Sequence, residues 1–297
     1  MICFEHIIRN IKLLKVPFGD SWTGIVLIDG GKKILIDSGA SGSDVDNVLI
    51  PALRREGYTL SDMDYLLNTH SHGDHIGGFA RIRELAPDIR VVAARTDREN
   101  VEDPAALAVK TRGKYPEVSP APQSYLKGVA VDLVLDEGEI LADTLMLVET
   151  PGHDLGCVCW LDMETKTLMT GDSLQGNGTP SQGIGFYKDL NLYRYSVNKL
   201  LGMDIEHILC GHEYDRIGWF ISGADAVKHA LRTCLARTLF YQQYVDSELS
   251  RGNTDPKEIA QKLIREHGCG MPGHLFMAVY TVCEHIRLSE QNLNSYI

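Results

Sequence analysis

The sequence of 297 residues has no uninterrupted apolar run near the length of about 18 residues that a membrane-spanning helix needs. Residues 1–9 mix charged and apolar side chains, so they do not resemble the apolar core of a secretory signal. These two absences predict a cytoplasmic protein that does not span a membrane.

Paired cysteines are also missing. The seven cysteines are odd in number and widely scattered, and no two of them form a Cys-x-x-Cys pair. Disulfide-bonded domains and cysteine zinc sites normally show an even count or such close pairs. The sequence therefore predicts reduced thiols.

Positive charge is scarce. Lys and Arg together number 29 against 40 Asp and Glu, which gives a formal net charge of −11, and no run of five or more basic residues occurs. An acidic chain repels nucleic-acid phosphates and anionic lipid. We expect a small-molecule substrate, and neither a nucleic acid nor a membrane as partner.

The pattern of apolar residues predicts a β-rich part followed by a helical part. Residues 24–28 and 34–36 flank Asp29-Gly30-Gly31, which is typical of a hairpin. A helix is expected after the hairpin, with Ser43 or Asp44 at its start and Gly57 at its end. Further strands are expected at 65–69, 90–94, 131–135, 145–150, 157–161, 167–170 and 205–210.

The last 75 or so residues show helical spacing of apolar side chains. Asp255 and Pro256 form a typical helix start, and another helix is expected over 276–288. We therefore predict a catalytic domain over residues 1–222 and a helical subdomain over 223–297.

Metal-ligand residue types follow four of the predicted strands. Each of these segments is flanked by glycine, which allows a tight turn close to an ion. They contain seven candidate ligands, His70, His72, Asp74, His75, His153, Asp172 and His212. Seven ligands are too many for one tetrahedral ion and suit two.

The spacing within the first segment supports this interpretation. Residues at i and i+2 of an extended chain share a face, so His70 and His72 can bind one ion together. Asp74 and His75, further into the turn, can then face a second ion. A lone histidine is usually a packing residue, but the whole set is hard to explain without metal.

On these residues the sequence closely resembles the metallo-β-lactamase-fold hydrolases. The matching positions are Asp37, the Thr-His-x-His-x-Asp-His run over 69–75, His153, Asp172 and His212. The resemblance covers roughly residues 15–215. Within the family, the chain is similar to the enzymes that carry the fuller His-x-His-x-Asp-His motif, glyoxalase II and the acyl-homoserine lactonases. It implies an α/β fold, a four-layer αββα sandwich with a C-terminal helical extension.

The resemblance also implies a division of the ligands. His70, His72 and His153 would hold the first metal, and Asp74, His75 and His212 the second. Asp172 would bridge the two metals, and Asp37 would orient ligands. The implied cofactors are two divalent ions, zinc first, with iron or manganese as alternatives.

The implied reaction is hydrolysis by a metal-bridging hydroxide of a small carbonyl ester, thioester or lactone. Asp74 and Asp172 are the expected catalytic carboxylates, and Asp74 would relay a proton to the leaving group. Residues 211–214, Gly-His-Glu-Tyr, resemble glyoxalase II, but the Gly-Cys-Gly-Arg element of that family is absent after Asp172. Lactonases have a tyrosine where this chain has Gln175. The sequence therefore does not decide between a thioester and a lactone substrate.

Three tyrosines after Asp172 are candidate substrate-binding residues, namely Tyr187, Tyr193 and Tyr195. His274 follows Pro-Gly, as His153 does, but opens a predicted helix and is interpreted as a capping or core residue. The helical tail is expected to wall the cleft or to form a homodimer contact. The alternative functions are a metal-dependent phosphodiesterase or nuclease, and a mono-iron dioxygenase of the persulfide type.

Overall fold

The computed structural model describes residues 2–107, 109, 115–118, 126–270 and 272–294. The strands are β1 (Glu5–Ile8), β2 (Ile11–Phe18), β3 (Ser21–Asp29), β4 (Lys33–Ile36), β5 (Tyr65–Leu67), β6 (Arg90–Ala94), β7 (Leu133–Leu135), β8 (Ile140–Leu141), β9 (Leu145–Glu149), β10 (Val158–Asp162), β11 (Thr167–Gly171), β12 (His207–Tyr214) and β13 (Gly218–Ser222).

The α-helices bounded in the described ranges are α1 (Gly42–Asp44), α2 (Ile50–Arg55), α3 (Gly73–Ile76), α4 (Phe79–Leu85), α5 (Arg98–Glu102), α6 (Leu190–Leu201), α7 (Ala224–Ser250), α8 (Pro256–His267) and α9 (Leu275–Asn294). A π-helical turn, Val45–Leu49, joins α1 to α2, and a 3₁₀ turn covers Leu60–Asp62.

The strands of the described ranges form two sheets. The first sheet has the order β1-β2-β3-β4-β5-β6-β7, antiparallel from β1 to β4 and parallel from β4 to β7. The second has the order β13-β12-β11-β10-β9-β8, in which only β11 and β12 are parallel neighbours. Parallel strands end at the same edge of a sheet, so the loops that follow them meet there.

Side chains that alternate along the strands divide the interior into layers. Ile34 and Ile36 of β4 pack between the two sheets, whereas Leu35 packs against α2 and α4 on the outer face. On the far side, the outer face of the second sheet shares a hydrophobic cluster with α6 to α9. The four-layer αββα sandwich with C-terminal helices, predicted from the sequence, is confirmed.

The sequence analysis missed β1, β2, β8 and β13. In β2 both Leu13 and Leu14 are buried because the strand packs against a layer on each face, which removes the alternation that marks a half-exposed strand. Pro17 is tolerated there because β1 pairs with β2 only as far as Leu13, so this part of β2 lies at a sheet edge.

The helix expected after the hairpin forms over 42–55, but its cap differs from the expectation. Ser41, not Ser43 or Asp44, is the N-cap, and its hydroxyl accepts a hydrogen bond from the backbone nitrogen of Asp44 at 3.3 Å. Asp255 and Pro256 start α8 as the sequence predicts, with the Asp255 carboxylate accepting from the Lys257 nitrogen.

The boundary at residue 222 stays a prediction, since α7 to α9 share their hydrophobic cluster with the second sheet. All seven cysteines lie in the described ranges, and each is a free thiol. Within those ranges, no helix combines the length and apolar character that crossing a membrane requires.

Candidate metal centre

The seven candidate ligands lie at one edge of the sandwich. His70 and His72 follow β5, and the chain then enters α3, which carries Asp74 and His75. His153 lies in the loop between β9 and β10, and Asp172 follows β11 directly. His212 was expected after a strand but lies within β12, which continues to Tyr214.

Three histidines form a first group. The Nδ1 atom of His72 lies 3.1 Å from Nε2 of His153, and the rings of His70 and His72 are 4.5 Å apart. One ligand nitrogen from each of His70, His72 and His153 lies within 4.8 Å of the other two. This group can hold one cation.

A second group consists of Asp74, His75 and His212. Oδ2 of Asp74 lies 3.1 Å from Nε2 of His212 and 3.6 Å from Nε2 of His75. This group can hold another cation.

Asp172 lies between the two groups. Its Oδ2 is 3.5 Å from Nε2 of His153, in the first group, and its Oδ1 is 3.3 Å from Nε2 of His75 and 3.4 Å from Nε2 of His212. One carboxylate thus presents an oxygen to each group, which is the arrangement of a bridging ligand.

Each of the five histidines is also held by its outward-facing nitrogen. The contacts are His70 Nδ1 to Thr69 Oγ1 (3.2 Å), His72 Nε2 to Asp154 Oδ2 (3.2 Å), His75 Nδ1 to Asp37 Oδ2 (2.8 Å), His153 Nδ1 to the Phe186 carbonyl (3.0 Å) and His212 Nδ1 to the Trp22 carbonyl (2.7 Å). Contacts of this kind fix the ring and direct its other nitrogen towards the centre.

Three buried polar atoms test whether these residues fit metal. Nε2 of His70 has no hydrogen-bond partner among the described residues, and Nε2 of His75 and Oδ1 of Asp172 face each other at 3.3 Å without forming a hydrogen bond. Buried polar atoms are rarely left in this state. Ligands at about 2.1 Å in a tetrahedral zinc site lie about 3.4 Å from one another, close to the separations observed here. The residues therefore fit a pair of divalent cations.

The two groups differ in charge. Burial alone would lower the pKa of His212, but the carboxylates of Asp172 and Asp74 outweigh it and raise the pKa to about 10. Asp172, Asp74 and Asp37 likewise outweigh burial and raise the pKa of His75. In the first group, burial and the neighbouring His72 lower the pKa of His153 to about 4. Protons thus reside at the carboxylate-rich group, where a cation would replace them.

Two glycines allow the close approach of these segments. Gly171 has a φ of +48°, and a Cβ atom there would lie 2.2 Å from Oγ1 of Thr69. A Cβ atom on Gly211 would lie 2.9 Å from Oδ1 of Asp172. Larger residues at either position would push apart the strands that carry the ligands.

A cavity of about 100 Å³ opens onto the centre. Besides His72, Asp74, His153, Asp172 and His212, its lining consists of Phe18, Ser21, Thr179, Ser181, Gln182, Phe186, His274 and Met277. The sequence analysis did not find these eight. His274 was interpreted from the sequence as a capping or core residue, whereas it is exposed and lines the cavity. The Pro-Gly-His sequence that His274 shares with His153 was the feature that could have indicated this position.

The three tyrosines are not where the sequence analysis expected them. Tyr187 and Tyr193 are fully buried in the cluster beneath α6 to α9, and Tyr193 accepts a hydrogen bond from the Gln175 nitrogen. Tyr195 lies on α6 with 64% of its surface exposed. None of the three is among the described residues that line the cavity, because Tyr187 and Tyr193 pack into the hydrophobic cluster and Tyr195 lies on the opposite, exposed side of α6.

The class of protein is defined by a sandwich of two sheets that carries adjoining groups of candidate metal ligands at one edge. A sequence model of the metallo-beta-lactamase superfamily matches residues 17–212, more than half of the chain. The chain belongs to the metallo-beta-lactamase superfamily.

Among curated relatives, a hydroxyacylglutathione hydrolase of Rhodopseudomonas palustris (strain BisA53) is 35% identical over 167 residues, 56% of this chain and 53% of the relative. The atrochrysone carboxyl ACP thioesterase of Aspergillus fumigatus is 27% identical over 187 residues, 63% of this chain and 49% of the relative. The chain thus spans about half the length of these curated relatives.

Among solved structures, a metallo-beta-lactamase family protein from Thermus thermophilus is similar with a TM-score of 0.75 and 19% identity, over 96% of this chain and 95% of that chain. A subclass B3 metallo-beta-lactamase of Bradyrhizobium japonicum gives a TM-score of 0.57 at 21% identity, over 84% of this chain and 96% of that chain. Likeness at this identity concerns the fold.

Proposed function

We propose that this chain is a hydrolase that depends on two divalent cations and cleaves a small carbonyl ester, thioester or lactone. One observation carries the proposal. Asp172 presents one carboxylate oxygen to each of two ligand groups, and three of the surrounding buried atoms have no other described partner.

His70, His72 and His153 would hold the first cation, and Asp74, His75 and His212 the second, with Asp172 shared. Two divalent cations held this close supply a nucleophilic hydroxide at neutral pH and polarise a carbonyl oxygen. The chain's own residues orient the ligands: Asp37 accepts from Nδ1 of His75 and, through its other oxygen, from the Thr69 nitrogen at 2.8 Å.

Asp74 is the proposed proton carrier. Its carboxylate lines the cavity and keeps 16% of its side-chain surface exposed, whereas Asp172 keeps 5%. A carboxylate that reaches both the centre and the cavity can take a proton and deliver it to a leaving alkoxide or thiolate. Asp172, enclosed between the two groups, would act by holding both cations in place.

The proposed substrate class rests on the cavity and on the relatives. Phe18, Phe186 and Met277 give the cavity apolar walls, and Thr179 and Ser181 add hydroxyl groups. Such a lining suits a small acyl group with one or two polar atoms. Two of the relatives are named as a hydroxyacylglutathione hydrolase and an ACP thioesterase, and these names support thioesters as the first candidates to test.

Zinc is the proposed metal, because imidazole and carboxylate ligands suit it; iron and manganese are the alternatives that such ligands also accept. The cytoplasmic location and a homodimer remain proposals. His274 and Met277 support a role of the helical tail as a wall of the cavity.

The test is a hydrolysis screen with purified protein whose metal content has been measured. The panel contains short-chain acyl thioesters, aryl esters and lactones, with phosphodiesters and a persulfide under oxygen as the competing classes. We expect turnover in the first three classes, two metals per chain and loss of turnover after chelation. Phosphodiester cleavage alone, or oxygen uptake with one iron per chain, would overturn the proposal.

A further inference from the structure

A buried ion pair lies directly behind His72. Oδ2 of Asp154 lies 3.2 Å from Nε2 of His72, and the same oxygen forms an ion pair with Nζ of Lys188. Asp154 is 1% exposed and Lys188 is 6% exposed. The pair joins the loop after β9 to the segment before α6, two parts of the chain that are 34 residues apart.

The Asp154 carboxylate is held on both sides. Its second oxygen, Oδ1, accepts from the backbone nitrogen of Gly156 at 3.2 Å. A buried carboxylate is costly unless a cation is paired with it, and Nζ of Lys188, itself buried, is the cation that pairs with Asp154.

His72 has the greatest need of an anchor among the five ligand histidines. Its side chain is 23% exposed, whereas those of His70 and His75 are fully buried and those of His153 and His212 are 2% and 7% exposed. A partly exposed ring can rotate or change tautomer unless a hydrogen bond prevents it. With Nε2 held against Asp154, Nδ1 of His72 faces Nε2 of His153, 3.1 Å away.

We propose that Lys188 and Asp154 form a positioning pair that fixes the tautomer and orientation of His72 and thereby sets the affinity of the first ligand group for its cation. The pair touches no ligand of the second group in the described contacts. Asp37 accepts from His75 of the second group, and it also accepts from the hydroxyl of Thr69, which contacts Nδ1 of His70 in the first group. Asp37 therefore supports both groups, whereas the positioning pair supports the first.

This inference rests on the proposed function only in treating the two His/Asp groups as cation sites. Its test measures binding and requires no turnover. Stepwise cobalt(II) affinities are determined by competition with a chelator, with the electronic spectrum reporting each site. The variants are D154A, K188M and K188R, with D37A as a comparison that affects both groups. K12M is the matched control, because Lys12 bonds Asp29 and Glu56 outside the cavity.

We expect D154A to weaken one of the two binding steps by about 10- to 100-fold and to leave the other unchanged. K188M should weaken the same step, K188R should restore most of the affinity, and D37A should weaken both steps, because Asp37 holds His75 directly and His70 through Thr69. In the zinc-loaded protein, ¹⁵N shifts should show His72 protonated on Nε2, and D154A should lose this signature. Circular dichroism and thermal melting separate these effects from unfolding, and K12M should bind as the wild type does.

Each outcome decides between distinct conclusions. Two unchanged affinities in folded D154A and K188M would overturn the positioning pair while leaving the proposed function intact. Equal weakening of both steps would overturn the assignment of the pair to the first group. A wild-type protein that binds no cation would overturn the proposed function and the inference together. If D154A does not fold, K188M and its rescue by K188R decide the question.

Discussion

Asp172 and His212 lie side by side because they are carried by neighbouring parallel strands. Gly171, the last residue of β11, pairs with Cys210 of β12, and Nε2 of His212 then lies 3.4 Å from Oδ1 of Asp172. The same carboxylate reaches His153 through its other oxygen. Removing Asp172 should therefore have wider consequences than removing His212.

The first prediction concerns this difference. Asp172→Ala should abolish tight binding of both cations, because the two groups share that carboxylate, whereas His212→Ala should lose only the second cation. Elemental analysis after dialysis against dilute chelator would count the metals retained per chain. His229→Ala, on an exposed face of α7, serves as the control and should keep two. Equal metal content in the Asp172 and His212 variants would contradict the bridging role.

The second prediction concerns the protons on the carboxylate-rich group. In the absence of metal the carboxylates of Asp172 and Asp74 raise the pKa of His212 to about 10 and also raise the pKa of His75, so this group binds protons at pH 7. A cation must displace them, so the affinity for the second cation should increase as pH rises from 6 towards 10. Calorimetry in buffers of different ionisation enthalpy would measure the protons released per chain at pH 7; release of none would contradict the assignment.

The third prediction concerns Asp97, which accepts hydrogen bonds from Asn68, Ser71 and Asn100 without a cationic partner in the described contacts. Burial, together with the charge of Asp154, raises the pKa of Asp97 to about 7. Between pH 4 and 7 the folded chain binds this proton and the unfolded chain does not, so the contribution of Asp97 to stability falls as pH rises. The resulting decrease in the free energy of unfolding is at most about 4 kcal/mol.

Urea unfolding of wild type and Asp97→Asn between pH 5 and 8 would measure this contribution. The free energy of unfolding of the variant should decline less steeply with pH, because the amide does not ionise. Parallel curves for the two proteins would show that Asp97 does not titrate in this range.

The fourth prediction concerns Gly171. Gly171→Ala should destabilise the fold by about 2 kcal/mol or more, because a positive φ disfavours a Cβ atom and the methyl group would overlap Thr69. Gly202→Ala is the matched control, since Gly202 has a φ of −86° and an added Cβ there would meet nothing closer than 3.4 Å. It should change stability by less than about 1 kcal/mol. Similar thermal melts for the two variants would argue against the packing at Gly171.

The sequence predicts the parts of the fold and site that depend on local patterns. The hairpin around residues 29–31 and the start of α8 follow from turn and capping residues, and both form as expected. The alternation of His70 and His72 implies a shared face, and the structure brings these two rings together. Local spacing is sufficient in these cases because the interacting residues are close in the chain.

Other features depend on contacts between distant segments. Nothing near Lys188 in the sequence indicates that it pairs with Asp154, and the burial of Tyr187 and Tyr193 follows from the packing of α6 against α7. His274 reaches the cavity because its backbone nitrogen donates to the carbonyl of Ser181, 93 residues earlier in the chain. Such placements follow from the assembled tertiary structure, which single-sequence periodicity does not describe.

Anomalous diffraction from crystals grown with zinc tests the central claim most directly. The account predicts two zinc peaks, one at about 2.1 Å from ligand nitrogens of His70, His72 and His153 and the other at about 2.1 Å from ligand atoms of Asp74, His75 and His212. A carboxylate oxygen of Asp172 should lie within the same distance of each peak. Zinc bound elsewhere, or a lone peak with Asp172 directed away from it, would contradict the account.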